Sequence, residues 1–218
     1  MMTTKVFQRV LAIFIVVATI FLANGVAQAE PYDDIQKCNE QIKQNPNDAE
    51  AYNKRGHAYI KLKRYAPAIQ DFDKAIELNP NLDSAYVNRG FAYSDLKQYE
   101  LAIQDFDKAI EINPDIFLYY IARGQIYAFR QNFKQAISDF SKAIELNPNL
   151  APAYYTRGLM YKMIREYEQA FKDFDKYINL VPNDYKGYEQ RGECYLYLGD
   201  KKNYKVDLAK SRKIRYKR

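Results

Sequence analysis

The sequence predicts an all-α solenoid of stacked helix pairs, and three observations carry that expectation. Self-alignment of the 218-residue chain at a shift of 34 brings residue columns into register. Leu-Asn-Pro ends at Pro80 and Pro148, Ile-Asn-Pro at Pro114 and Val-Pro at Pro182. Within each period the apolar residues recur twice at the spacing of one helix face. Nowhere does the sequence alternate apolar and polar residues as a strand would.

The elements follow in order. Lys5 and Arg9 precede an apolar run over 10–23, and Ala27-Gln28-Ala29 follows it. This reads as a secretory signal peptide over 1–29, cut before Glu30. The run is 14 residues long, against the ~20 needed to span a bilayer. An uncleaved membrane anchor is the competing reading, and either places the remaining chain outside the cytoplasm. Residues 30–46 look like a lone second helix, with Ile35, Cys38 and Ile42 on the columns of Ile69, Phe72 and Ile76. Four full units occupy 47–80, 81–114, 115–148 and 149–182.

In the first helix of a unit, Tyr52, Gly56 and Tyr59 form one stripe, with Gly allowing close helix approach. In the second, Ala68, Ile69, Phe72, Ala75 and Ile76 share a face. Asn79-Pro80 stops that helix, because proline drives its predecessor out of the α region. Asn81, Asp115, Asn149 and Asn183 stand where an N-cap is expected for the next helix. Pro67 and Pro152 fall in first turns, where proline is tolerated. Residues 183–218 hold a good first helix (Tyr188, Gly192, Tyr195) and a degenerate second one, with Tyr204 replacing Ala and Arg212 replacing Ile. A terminal cap with a polar outer face is expected there.

The columns Tyr52, Gly56, Tyr59, Ala68, Phe72, Ala75 and Pro80, repeated through Pro182, resemble the tetratricopeptide repeat. The resemblance covers nearly all of the chain after residue 29. It implies a right-handed superhelix whose first helices line a concave face, and a protein that holds a protein or peptide partner there. One departure is Arg at a column where the family usually has Leu: Arg55, Arg89, Arg123, Arg157 and Arg191.

Composition excludes several function classes. The single His and two Cys supply neither a His pair nor a zinc site, and the chain is not a disulfide scaffold. No Gly-rich phosphate loop, nucleophile elbow or carboxylate pair in motif context occurs. The reading is therefore a protein that is not an enzyme, with no cofactor, no metal and no small-molecule substrate. The net charge of +6 is carried by the ends: +2 in 1–29, +7 in 200–218 and −3 between them. Nucleic-acid binding is not expected. Of the 21 Tyr, 13 lie on the columns of Tyr52, Tyr59 and Tyr65, where they fill gaps between helices.

Candidate residues fall into four groups. The Arg column matches an Asp column one for one (Asp71, Asp105, Asp139, Asp173, Asp207), which favours structural bidentate pairing over a basic binding ladder. Cys38 and Cys194 lie at opposite ends of the array and read as two small core residues. The resemblance assigns partner binding to non-core positions of the first helices. These are Asn53, His57 and Lys61, then Val87, Phe91 and Asp95, then Leu118, Ile121 and Phe129, then Tyr155, Leu159 and Met163, and finally Glu189 and Glu193. The middle of the groove is apolar and its ends are polar. Asn53 and Asn88 fall near the positions that clamp a peptide carboxylate in some family members, but Leu118 and Ala122 stand where basic residues are needed. The expected ligand is thus a helical or extended apolar segment, with Tyr155 among its contacts. The last group is the basic tail (Lys201, Lys202, Arg212, Lys213, Arg215, Lys217, Arg218), either a cap or a contact for an anionic membrane surface. The alternative function is accordingly a membrane-associated assembly factor.

Overall fold

In the computed structural model, residues 31–216 are described, and among them there are eleven helices and no strand. They are α1 (Pro31–Gln44), α2 (Ala49–Lys61), α3 (Tyr65–Leu78), α4 (Asp83–Asp95), α5 (Tyr99–Ile112), α6 (Phe117–Phe129), α7 (Phe133–Leu146), α8 (Ala151–Met163), α9 (Tyr167–Leu180), α10 (Tyr185–Tyr197) and α11 (Lys201–Arg215). Segment 1–30, Lys217 and Arg218 lie outside the described residues, and with them the expected signal peptide.

Helix α1 packs on α2, and the ten helices from α2 onward form five pairs, each helix packing on the next in sequence. Successive first helices also meet directly. Asn53 Nδ2 on α2 donates to Ser84 Oγ on α4 at 3.1 Å, and Asn88 Nδ2 donates back to Asn53 Oδ1 at 2.9 Å. The result is an all-α solenoid with the first helices as the inner row and the second helices as the outer one.

The repeating columns make the core. Ala68, Phe72 and Ala75 are fully buried, as are Ala102, Phe106 and Ala109 in the next pair. The Phe rings crowd the Gly opposite most closely in two units: a Cβ on Gly56 would lie 2.6 Å from the Phe72 ring, and one on Gly158 would lie 2.9 Å from Phe174. The last pair is looser. Leu208 replaces the Phe, and a Cβ on Gly192 would meet nothing nearer than 3.3 Å.

Bulk is compensated along the stack. Tyr177 replaces the Ala of the Ala75 column, and Gly187 faces it where Ala51 and Ala85 stand in earlier units; a Cβ there would come within 2.8 Å of the Tyr177 ring. The Tyr177 hydroxyl donates to Asp184, the N-cap of α10.

Two details differ from the sequence-based expectation or escape it. Asn81, Asp115, Asn149 and Asn183 do not cap helices; the caps are the following residues Leu82, Ile116, Leu150 and Asp184. The Asn79 and Asn147 side chains instead accept the N–H groups of Asn81 and Asn149 in Asx turns. Leu82 is buried against Tyr52, Ala75, Ile76 and Ala85. That burial is worth ~1.5–3 kcal/mol, more than the ~1 kcal/mol of a polar cap. Asp48 and Asp184 do cap, accepting from Ala51 N–H and Lys186 N–H. The turn inside each pair passes through a left-handed residue, Lys63, Lys97, Gln131, Arg165 and Gly199 in order, with φ between 55° and 85°. Only the fifth is glycine.

Candidate functional site

The arginine column is structural. Arg123 Nε donates to Asp139 Oδ2 at 2.9 Å and its Nη2 to Oδ1 at 2.6 Å, while Nη1 reaches back to Asp107 of the preceding second helix. The bidentate pair repeats from Arg55–Asp71 to Arg191–Asp207. The backward bond goes to Asn39, Asp73, Ser141 and Asp175 in the other units. Each guanidinium thus ties three helices, and it lies 5.3–5.9 Å over the ring of the Tyr three residues earlier. Burial opposes the charge on Arg123, but its bonds to Asp139 and Asp107 outweigh that and raise its pKa. Burial pushes the Asp139 carboxyl upward, against the lowering effect of Arg123. Because Asn39 takes the same place below Arg55 that Asp73 takes below Arg89, α1 packs in the position of a second helix.

The inner row carries the proposed groove. Val87 is half-buried against the cluster of Ala102, Phe106, Ala122 and Ile126. Phe91 on α4 is 36% exposed and sits edge-on to Phe106 at 5.2 Å between ring centres. On α8, Tyr155 packs against the rings of Phe174 and Tyr177, at 5.8 and 5.0 Å, and half-buried Leu159 lies in the same packing. Met163 is 36% exposed at the end of that helix. Phe129 on α6 rests against Tyr99 at 5.1 Å, and Leu118 is half-buried in the first turn of α6. Ile121 is buried, at 8% exposure, inside the cluster of Tyr120, Phe140 and Tyr154, so it packs helices instead of facing a partner. The α6 residue in register with His57, Phe91, Leu159 and Glu193 is half-buried Gln125, which pattern reading passed over for Leu118.

The two ends of the row differ. Asp34, Lys37, Cys38, Glu50, Asn53 and His57 are among the residues lining an open hollow of about 550 Å³ between α1 and α2. At the other end Lys162 on α8 donates to Gln190 Oε1 at 2.7 Å and to Glu193, both on α10. The two Cys are free and buried, as expected of core residues, and burial pushes the Cys194 thiol up to about 12. Of the basic tail, Lys201, Lys202, Arg212 and Lys213 are exposed on α11, and Arg215 Nη1 lies 3.5 Å from Glu189 Oε1. Among the described residues no cluster of His, Cys, Asp or Glu is arranged to hold a metal ion, and no helix is long and apolar enough to cross a membrane.

Comparison with known proteins agrees with this geometry. Models described as tetratricopeptide repeat match residues 49–82, 84–116, 118–150 and 140–172. No curated protein sequence matches the chain. Among solved structures, YrrB, described as a TPR protein with an unusual peptide-binding site, is 22% identical with a TM-score of 0.73, over 81% of this chain and 91% of that one. The C-terminal part of a TPR repeat-containing protein from Cytophaga hutchinsonii is 24% identical with a TM-score of 0.76, over 84% of this chain and 74% of that one. MamA from Desulfovibrio magneticus RS-1 is 20% identical with a TM-score of 0.70, over 78% and 96%. At these identities the likeness concerns the fold. With its recurring helix pairs and the family models matched over four successive stretches, the chain belongs to the tetratricopeptide-repeat family.

Proposed function

We propose that this protein is an exported interaction scaffold that holds an apolar helical or extended segment of a partner protein along its inner row. Proteins of this family act as protein-interaction scaffolds, and a peptide-binding site is described for the similar fold of YrrB. The observation that carries the reading is the exposed apolar character in the middle of the row, Phe91 and Met163 above all, between the polar ends at His57 and Glu193. Exposed apolar surface rimmed by polar residues marks partner sites, and a helix or strand laid in such a groove buries alternate apolar anchors. The arginines are committed to aspartates, so they are not offered to a phosphate polymer. Export rests on the basic residues, apolar run and Ala-Gln-Ala of segment 1–29.

Selection from a random peptide library on the full chain tests the groove. The selected peptides should carry spaced large apolar residues, and Phe91→Asp with Met163→Asp should weaken them at least tenfold at unchanged helicity. Peptides that bind the double variant equally well refute the assignment. For export, amino-terminal sequencing of secreted protein should start at Glu30; a start at Met1 refutes cleavage.

A further inference from the structure

The last described helix, α11, carries a surface of its own. In every earlier second helix a polar residue accepts the backward bond from the next arginine: Asn39, Asp73, Asp107, Ser141 and Asp175. The corresponding residue of α11 is Ala209, which accepts nothing, and Arg212 stands where Ile76, Ile110, Ile144 and Ile178 pack the next first helix.

The face of α11 turned away from α10 instead carries cations and no acid. Asp207 and Ser211 point inward and are buried, and Asp207 is the one acid of the helix, held by Arg191. At 100° per residue the opposite side presents Lys202, Val206, Ala209 and Lys213, flanked by Lys205 and Arg212, and all six are exposed. Among the described residues none of these four lysines and arginines Lys202, Lys205, Arg212 and Lys213 has a carboxylate within ion-pair reach. Large apolar side chains lie among them: Val206 is 59% exposed and Tyr216, one residue past the helix, is 79% exposed.

We infer that this face docks the end of the solenoid on an anionic lipid surface. Charge complementarity names an anionic occupant, and the apolar side chains separate lipid from nucleic acid. A bilayer interface takes Val206 below the head groups and Tyr216 at their level, beside cations drawn to the lipid charge. A phosphodiester backbone has no apolar layer for them. The site is independent of the groove, because α11 belongs to the outer row and its docked face leaves α2 to α10 open to a partner.

Co-sedimentation of the full chain with vesicles tests this. The two compositions are phosphatidylcholine alone and phosphatidylcholine with phosphatidylglycerol, each at low and high salt. Segment 1–29, with Lys5 and Arg9, is present in every sample, so the contribution of α11 is the difference between wild type and variant on the same vesicles. Lys202→Gln, Lys205→Gln, Arg212→Gln and Lys213→Gln together should lower affinity for anionic vesicles by about six hundredfold, since each such cation is worth roughly fivefold near a negative surface. Binding to neutral vesicles and the thermal melt should stay unchanged. Val206→Gln with Tyr216→Gln should weaken anionic-vesicle binding several-fold and leave any binding to duplex DNA as it was. Equal binding to both vesicle types, or wild-type sedimentation of the quadruple variant, overturns the inference. Indifference to Val206→Gln with Tyr216→Gln also overturns it, in favour of a site for polyanions in general.

Discussion

Replacing Arg123 by Met, a side chain of similar length without charge, is the sharpest test of how the stack is held. The substitution removes two bonds to Asp139 and one to Asp107. Asp107 is half exposed and recovers water, so little is lost there. Asp139 is 4% exposed and would be left as an unpaired carboxylate between helices. Stranding a buried charge in this way costs about 3–5 kcal/mol. With a urea dependence of about 2 kcal/mol per molar, the midpoint should fall by roughly 2 M. The loss also has a pH signature. Burial already pushes the Asp139 carboxyl upward, and without Arg123 nothing opposes it. A carboxyl with a raised folded-state pKa takes up a proton sooner in the folded than in the unfolded chain, so the folded state gains as the pH falls through that value. The penalty should therefore shrink from neutral pH toward the carboxylate range. The double variant Arg123→Met with Asp139→Leu should regain most of the stability, because it leaves no charge stranded. A loss below about 1 kcal/mol for Arg123→Met, or a double variant no better than the single one, would refute the reasoning.

Other positions test the packing. Gly56→Ala places a Cβ 2.6 Å from Phe72 and should cost about 1–3 kcal/mol in urea unfolding, whereas Gly192→Ala, with 3.3 Å of clearance, should cost less. Gln131 closes α6 at φ 64°, so Gln131→Gly should raise stability by roughly 1 kcal/mol, read in the same assay. The thiol of Cys194, pushed up to about 12 from 9.0 by burial, stabilises the fold fully below pH 9 and loses that contribution as the pH rises toward 12. Comparing wild type with Cys194→Ala across that range should show the stability difference drifting against the wild type. In the native state at neutral pH the same thiol should resist alkylation until the chain is unfolded.

Much of this architecture is legible in the residues because it repeats. The Gly56 and Phe72 columns announce a close helix contact, and matched Arg and Asp columns announce the ion pairs. What stayed hidden depends on contacts between units. Leu82 looks unfit to begin a helix until its burial against Tyr52 and Ala75 is known, so the preceding Asn81 was the natural expectation for a cap. The left-handed turn residues escaped notice because Lys63, Lys97, Gln131 and Arg165 carry none of the usual glycine signal. Val87, Ile121 and Tyr155 share one column, yet Ile121 is buried in the cluster around Tyr120 and Phe140, while Val87 and Tyr155 are only half-buried. Tyr177 and Gly187 exchange bulk across an interface that no single helix pattern contains.

The central claim is that the inner row, and not the outer one, meets the partner. A photo-cross-linking amino acid placed singly at positions 91 and 163, and at the exposed outer-row positions 104 and 138, tests it in the cell that makes the protein. The account predicts a discrete covalent adduct from positions 91 and 163 and none from 104 or 138. Adducts from the outer positions with none from the inner row would contradict it.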